Sequence, residues 1–186
     1  MISTFRCCAA LWAALLSACA GMPAPQSAQS APAFELAGRI VVRYQDRGFS
    51  SSLRWKQAAG SDEIWLTAPL GQTIAYLQAD ANGATLTGAD QRQYRAVSIE
   101  NLTRSAFGWR FPVAGMRYWV LGRPADGMVL AAVERDDAAR IVRFKQDDWD
   151  VSFNYLDAAI APSRLEIIGS DAQIRFVIDA RTPAQP

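Results

Sequence analysis

Phe34-Glu35-Leu36-Ala37-Gly38-Arg39-Ile40-Val41-Val42-Arg43-Tyr44 decides the architecture. Leu36, Gly38, Ile40, Val42 and Tyr44 fall on one face of an extended chain, while Arg39 and Arg43 fall on the other. A period of two with one apolar and one charged face is the signature of a half-buried strand. Similar short runs follow: Leu53 and Trp55; Ile64 and Leu66; Ile74 and Tyr76; Leu86; Tyr94; Val129, Ala131 and Val133; Ile141 to Phe144; Val151, Phe153 and Tyr155; Leu165 and Ile167; Ile174, Phe176 and Ile178. They amount to about eleven strands, and connections this short force antiparallel neighbours, because a parallel crossover needs a dozen or more residues.

Two stretches break the alternation. Ser98 is placed to cap a short helix holding Ile99, Leu102 and Phe107 and closed by Gly108. Pro112 is placed to open a second, with Val113, Met116, Trp119 and Val120 near one face and Gly122 and Pro124 at its end. Neither is long enough to be stable alone, so each must lie on the sheet. The expected fold class is mainly β (α+β): one antiparallel sheet with helices at mid-chain, as a layer or a curled barrel with a helical plug.

The 186 residues suit one ordinary domain, and at 51% hydrophobic and 10% aromatic they exclude a disordered chain. A net charge of +1 gives no footprint for nucleic acid, which needs clustered, uncompensated Lys and Arg. With no His, the commonest general base, the commonest zinc ligand and every Ser-His or Cys-His pair are missing. No Gly-rich phosphate loop, Gly-x-Ser-x-Gly elbow or Cys-x-x-Cys occurs. The carboxylate groups Glu134, Asp136, Asp137 and Asp147, Asp148, Asp150 sit where one expected strand gives way to the next, where Asp is ordinary turn chemistry. No enzyme, metal site or cofactor is expected, and the function is expected to be binding.

Residues 1–18 read as a secretory leader, with Arg6 before an apolar core from Ala9 to Leu16 that is too short to span a bilayer. Its end, Leu16-Ser17-Ala18-Cys19, resembles the bacterial lipoprotein box, in which the cysteine is acylated and becomes the first residue. Cys7 and Cys8 leave with the leader, so Cys19 has no partner for an internal disulfide. Ala20 in the position after the lipidated cysteine implies the outer membrane. Residues 19–33 then carry the lipid and a Pro-rich tether, residues 34–180 the domain, and residues 181–186 a C-terminal tail. One loop is physically unusual: in Pro69-Leu70-Gly71 a bulky aliphatic residue occupies a turn, which turn propensity does not select.

Several segments together resemble the LolB family of outer-membrane lipoprotein receptors. They are Phe34 to Ile40, Ala68 to Gln72, Gly108 to Pro124 with its Trp119-Val120-Leu121-Gly122-Arg123-Pro124, Gln146 to Val151 with Tyr155, and Pro162 to Glu166. The resemblance implies an incomplete antiparallel barrel with a helical lid over a hydrophobic cavity, similar to the periplasmic carrier LolA. It implies a monomer, lipid-anchored in the outer membrane of a Gram-negative bacterium through Cys19 and facing the periplasm. Its partners are a LolA-like carrier, acylated lipoprotein cargo and the membrane lipid. It puts the membrane-insertion tip at Pro69, Leu70 and Gly71, and the candidates for cavity and lid are Leu36, Ile40, Trp55, Leu66, Tyr76, Met116, Trp119, Val120 and Phe153. The rival reading is an envelope lipoprotein holding a free small amphiphile in a closed, lipocalin-like pocket.

Overall fold

In a computed structural model that describes residues 33–58 and 60–183, the opening stretch is strand β1 (Phe34–Tyr44), with Phe34, Leu36, Ile40 and Val42 buried and the intervening arginines exposed. Residues 1–32 lie outside the described residues, and with them the expected leader, Cys19 and all but the last residue of the expected tether. Five strands extend the sheet to one side of β1: β2 (Arg47–Ala58), β3 (Ser61–Thr67), β4 (Thr73–Asp80), β5 (Gly83–Gly88) and β6 (Gln93–Ala96). Then come helices α1 (Ile99–Phe107) and α2 (Val113–Trp119), followed by β7 (Leu130–Arg135), β8 (Ile141–Gln146), β9 (Trp149–Asn154), β10 (Arg164–Ile168) and β11 (Ala172–Pro183).

The strand order is β6-β5-β4-β3-β2-β1-β11-β10-β9-β8-β7, antiparallel throughout. The first and last strands pair at its centre, and β6 and β7 remain as unpaired edges, so the barrel is incomplete. Gly38 marks the β1–β11 seam, where the register shifts; a Cβ there would lie 2.1 Å from the carbonyl oxygen of Val177, so only glycine lets the two backbones approach.

Three expectations need correction. Tyr76 does not face the core; Ala75 and Leu77 do. Val129, Ala131 and Val133 are all exposed, because β7 is an edge strand whose register breaks twice and whose Ala132 adopts φ 52°, which blunts the edge against pairing. The final strand also runs to Pro183, three residues past the expected boundary at 180.

Candidate functional site

One face of the sheet carries the core and both helices, but its two halves differ in filling. In the half that α2 covers, Met116, Trp119 and Val120 are fully buried, with the Trp119 ring centroid 6.3 Å from Phe144 of β8 and 6.5 Å from Trp149 of β9. Gln146, also fully buried, fixes that half: its side-chain oxygen accepts from Trp119 Nε1 at 2.8 Å and Ala125 N at 2.9 Å, and its amide donates to Ala125 O at 2.7 Å. Such complete satisfaction is what a buried polar group requires.

The half under α1 is hollow. A cavity of about 630 Å³ is lined by Ile40, Val42, Leu53, Ile64, Leu66 and Leu77 from the strands and by Phe107, Trp109 and Phe111 from the helical segment. A second space of about 560 Å³ runs toward β4–β6 and shares Phe49, Leu66, Ala106 and Phe107 with the first. These volumes match those of small-molecule and cofactor sites, and an apolar wall with few polar groups selects ligands by burial rather than by directed hydrogen bonds. Both spaces have their exposed rims at the end of the sheet where β1 finishes: Gln45, Arg47 and Phe49 for one, Asp90 and Tyr94 for the other.

The β3–β4 loop projects from that same end, because antiparallel register puts Tyr44, Arg47, Thr67 and Thr73 toward it. Two backbone hydrogen bonds close the loop, Gly71 N to Ala68 O and Ala68 N to Gln72 O, both at 2.8 Å. Pro69 and Leu70 occupy the turn's centre and Gly71 takes φ +86°, a conformation that glycine adopts without cost. The result is a Leu70 side chain 94% exposed on a closed turn.

Polar groups pin α1, which roofs this space, and α2, which follows it. Ser98 Oγ accepts from Asn101 N at 3.2 Å and caps α1. Pro112 offers α2 no side-chain cap, and Glu100 of α1 fills the role by accepting from Ala114 N at 3.1 Å. Thr103 Oγ1 accepts from Phe111 N at 3.0 Å. Beneath α2, the fully buried Asp62 of β3 accepts from Trp55 Nε1 at 2.9 Å and pairs with Arg117 through both Nε and Nη2. Burial pulls the Arg117 pKa down, but the Asp62 bond and charge outweigh it and the net direction is upward.

Of the nine cavity and lid candidates, Ile40 and Leu66 line the hollow half. Leu36, Trp55, Met116, Trp119, Val120 and Phe153 are buried in the packed core instead. Tyr76 lies on the opposite face, stacked on Trp65 with centroids 5.1 Å apart. Val42, Leu53, Leu77, Phe49, Phe107 and Trp109 escaped the sequence reading as lining residues, because a period of two tells which way a side chain points and not what stands opposite. The two carboxylate groups take part in local contacts: Asp136 pairs with Arg140, Asp150 with Arg143 and Asp148 with Arg110, while Asp147 accepts from Val129 N. Among the described residues no cluster of three or more His, Cys, Asp or Glu is arranged to hold a metal ion.

Residues 32–180 match the family model for the outer membrane lipoprotein LolB. The outer-membrane lipoprotein LolB of Thiobacillus denitrificans is 36% identical over 173 residues, covering 91% of each chain. That of Nitrosomonas europaea is 37% identical over 151 residues, covering 78% of this chain and 71% of its own. That of Cupriavidus necator is 35% identical over 182 residues, covering 91% and 92%.

Proposed function

This chain belongs to the LolB family of outer-membrane lipoproteins, and from that premise we propose that it takes acylated lipoproteins from a LolA-like periplasmic carrier and inserts them into the inner leaflet of the outer membrane. The observation that carries the reading is the shared end: the apolar cavity opens where Leu70 projects. Cargo held under α1 and a tip able to enter lipid are then presented to the bilayer together. Ile40, Val42, Leu53, Leu66 and Leu77 hold acyl chains, Pro69-Leu70-Gly71 touches the membrane, and Cys19 carries the protein's own lipid.

The energetics fit a relay without a nucleotide. Three acyl chains moved through water expose tens of methylenes, on the order of 30 kcal/mol at ~0.8 each, so unassisted transfer is negligible. Handover runs downhill from carrier to receptor to bilayer, each step set by differential affinity. Burial is non-directional, so the site needs no catalytic constellation, and the chain acts as a localisation factor rather than an enzyme. The lipocalin-like alternative needs a closed barrel, whereas this sheet keeps two unpaired edges.

Binding of a fluorescent long-chain fatty acid to the domain without its lipid tests the site. Phe107 is 44% exposed and lines both spaces, so Phe107→Glu places a charge in the cavity with little cost to folding. Affinity is expected to fall about tenfold or more. Ser52→Glu, on the other face of the sheet, is expected to leave binding unchanged. Equal binding by both variants contradicts the assignment.

A further inference from the structure

The β9–β10 loop, Tyr155 to Ser163, carries a second apolar tip: Leu156 is 67% and Ile160 92% exposed, with Ala158 and Ala159 exposed between them. Isolated exposed aliphatics are ordinary, but this loop is braced from four directions. Arg140 Nη1 donates to Asp157 O at 2.7 Å and Ala159 O at 3.1 Å, and its guanidinium sits 4.6 Å from the Tyr155 ring centroid. Tyr155 donates its hydroxyl to Ile141 O at 2.7 Å. Gly122, at φ +77°, lies so close that a Cβ there would stand 2.9 Å from Pro162 Cδ and 3.1 Å from the Tyr155 hydroxyl oxygen. Arg181 Nη2 donates to Val120 O and, at 3.0 Å, to Pro162 O. The Val120-Leu121-Gly122 piece of the family signature thus seats this loop.

The position of the loop matters as much as its exposure. Arg181 pairs in register with Leu36, so Pro162 lies one side chain away from the N-terminal end of β1. That end is opposite to the one bearing Leu70 and the cavity mouth. Phe34, the first residue of β1, therefore lies at the same end of the sheet as the β9–β10 loop.

We propose that Leu156 and Ile160 form a second membrane contact, which rests the domain on the outer membrane's lipid at the end where its own N-terminal segment enters. The inference rests on the reading of Cys19 as the lipid anchor. In this resting orientation the cavity mouth and Leu70 point away from the bilayer, toward the space from which an acylated protein arrives. Delivery then requires the other end to reach the lipid. The eleven residues of β1 rise roughly 35 Å. The fourteen residues from Ala20 to Ala33 reach at most about 50 Å, enough to let the domain turn over without leaving its anchor. Burial of two aliphatic side chains favours the rested orientation over one with the loop off the bilayer by about a hundredfold or more.

The test uses the full lipidated chain in phosphatidylethanolamine/phosphatidylglycerol vesicles whose acyl chains carry bromine quenchers. A dye on Ala158→Cys is expected to be quenched about tenfold more than one on Asp46→Cys at the opposite end. Adding Leu156→Asp and Ile160→Asp is expected to abolish that quenching, and adding Leu70→Glu to leave it intact, with unchanged far-UV circular dichroism showing that the loop variants fold. Equal quenching at the two positions, or quenching that survives the double substitution, overturns the proposal. Protection of Ala158→Cys that appears only on adding the carrier protein overturns it in favour of a protein-docking loop. A full-length chain that fails to float with the vesicles refutes the anchor reading itself, whereas a floating chain with an unquenched dye refutes the resting contact alone.

Discussion

Leu70→Glu is expected to leave cargo uptake by the domain intact and to block its release into membranes. Leu70 is almost wholly exposed and lines neither cavity space, so its loss removes nothing from the binding site. At the bilayer the change is large. Burying a leucine side chain contributes about 1.5–3 kcal/mol, and a carboxylate driven toward the acyl region costs about 2.5–3.5 more. A sum on the order of 4–6 kcal/mol corresponds to about a thousandfold or more in transfer to lipid. Leu70→Ser separates the two contributions, since it loses the burial alone and is expected to slow release by about ten- to a hundredfold. Release of a labelled lipoprotein from loaded domain to vesicles, followed by flotation, measures both. Wild-type release from Leu70→Glu rules out a membrane role for the turn.

The largest expected effect on stability belongs to Asp62. Its carboxylate is fully buried and serves both the Trp55 indole and the Arg117 guanidinium. Asp62→Ala leaves a partly buried cation and a buried N–H without an acceptor, which costs about 3–5 kcal/mol. Against a total stability of about 5–15 kcal/mol, the domain approaches its unfolding threshold, and Tm is expected to fall by roughly 10 °C or more. The double variant Asp62→Leu with Arg117→Met removes the orphaned charge and is expected to recover most of the loss, short of about 1 kcal/mol for the Trp55 N–H. Urea unfolding of the three proteins decides it. A loss under about 1 kcal/mol for Asp62→Ala means that the pair does not hold α2 to the sheet.

The strands, both helices and the exposed turn were legible in the sequence because each rests on local chemistry. Period two gives β1 and its buried face, Ser98 and Gly108 bracket α1, and an aliphatic residue between Pro69 and Gly71 contradicts ordinary turn preference. What stood opposite each inward side chain was not legible. Leu36 and Ile40 belong to one face of one strand, yet Leu36 meets packed core and Ile40 meets empty space, because α2 fills its half of the sheet and α1 does not. Tyr76 misled for a simpler reason: its inward neighbours on β4 include Ala75, whose small side chain gives a weak hydrophobic signal beside Ile74 and Tyr76. The edge strand β7 carries an apolar alternation that its bulges render irrelevant. Buried polar anchors such as Asp62 and Gln146 look like surface residues until tertiary structure supplies their partners.

The most direct test of a lipoprotein receptor is transfer of a labelled, acylated lipoprotein from a purified, loaded LolA-like carrier to this domain lacking its own lipid, resolved by pull-down of each partner without added nucleotide. The cavity under α1 predicts that label moves to the domain and that Phe107→Glu stops it. Label that stays on the carrier with a folded wild-type domain contradicts the receptor function.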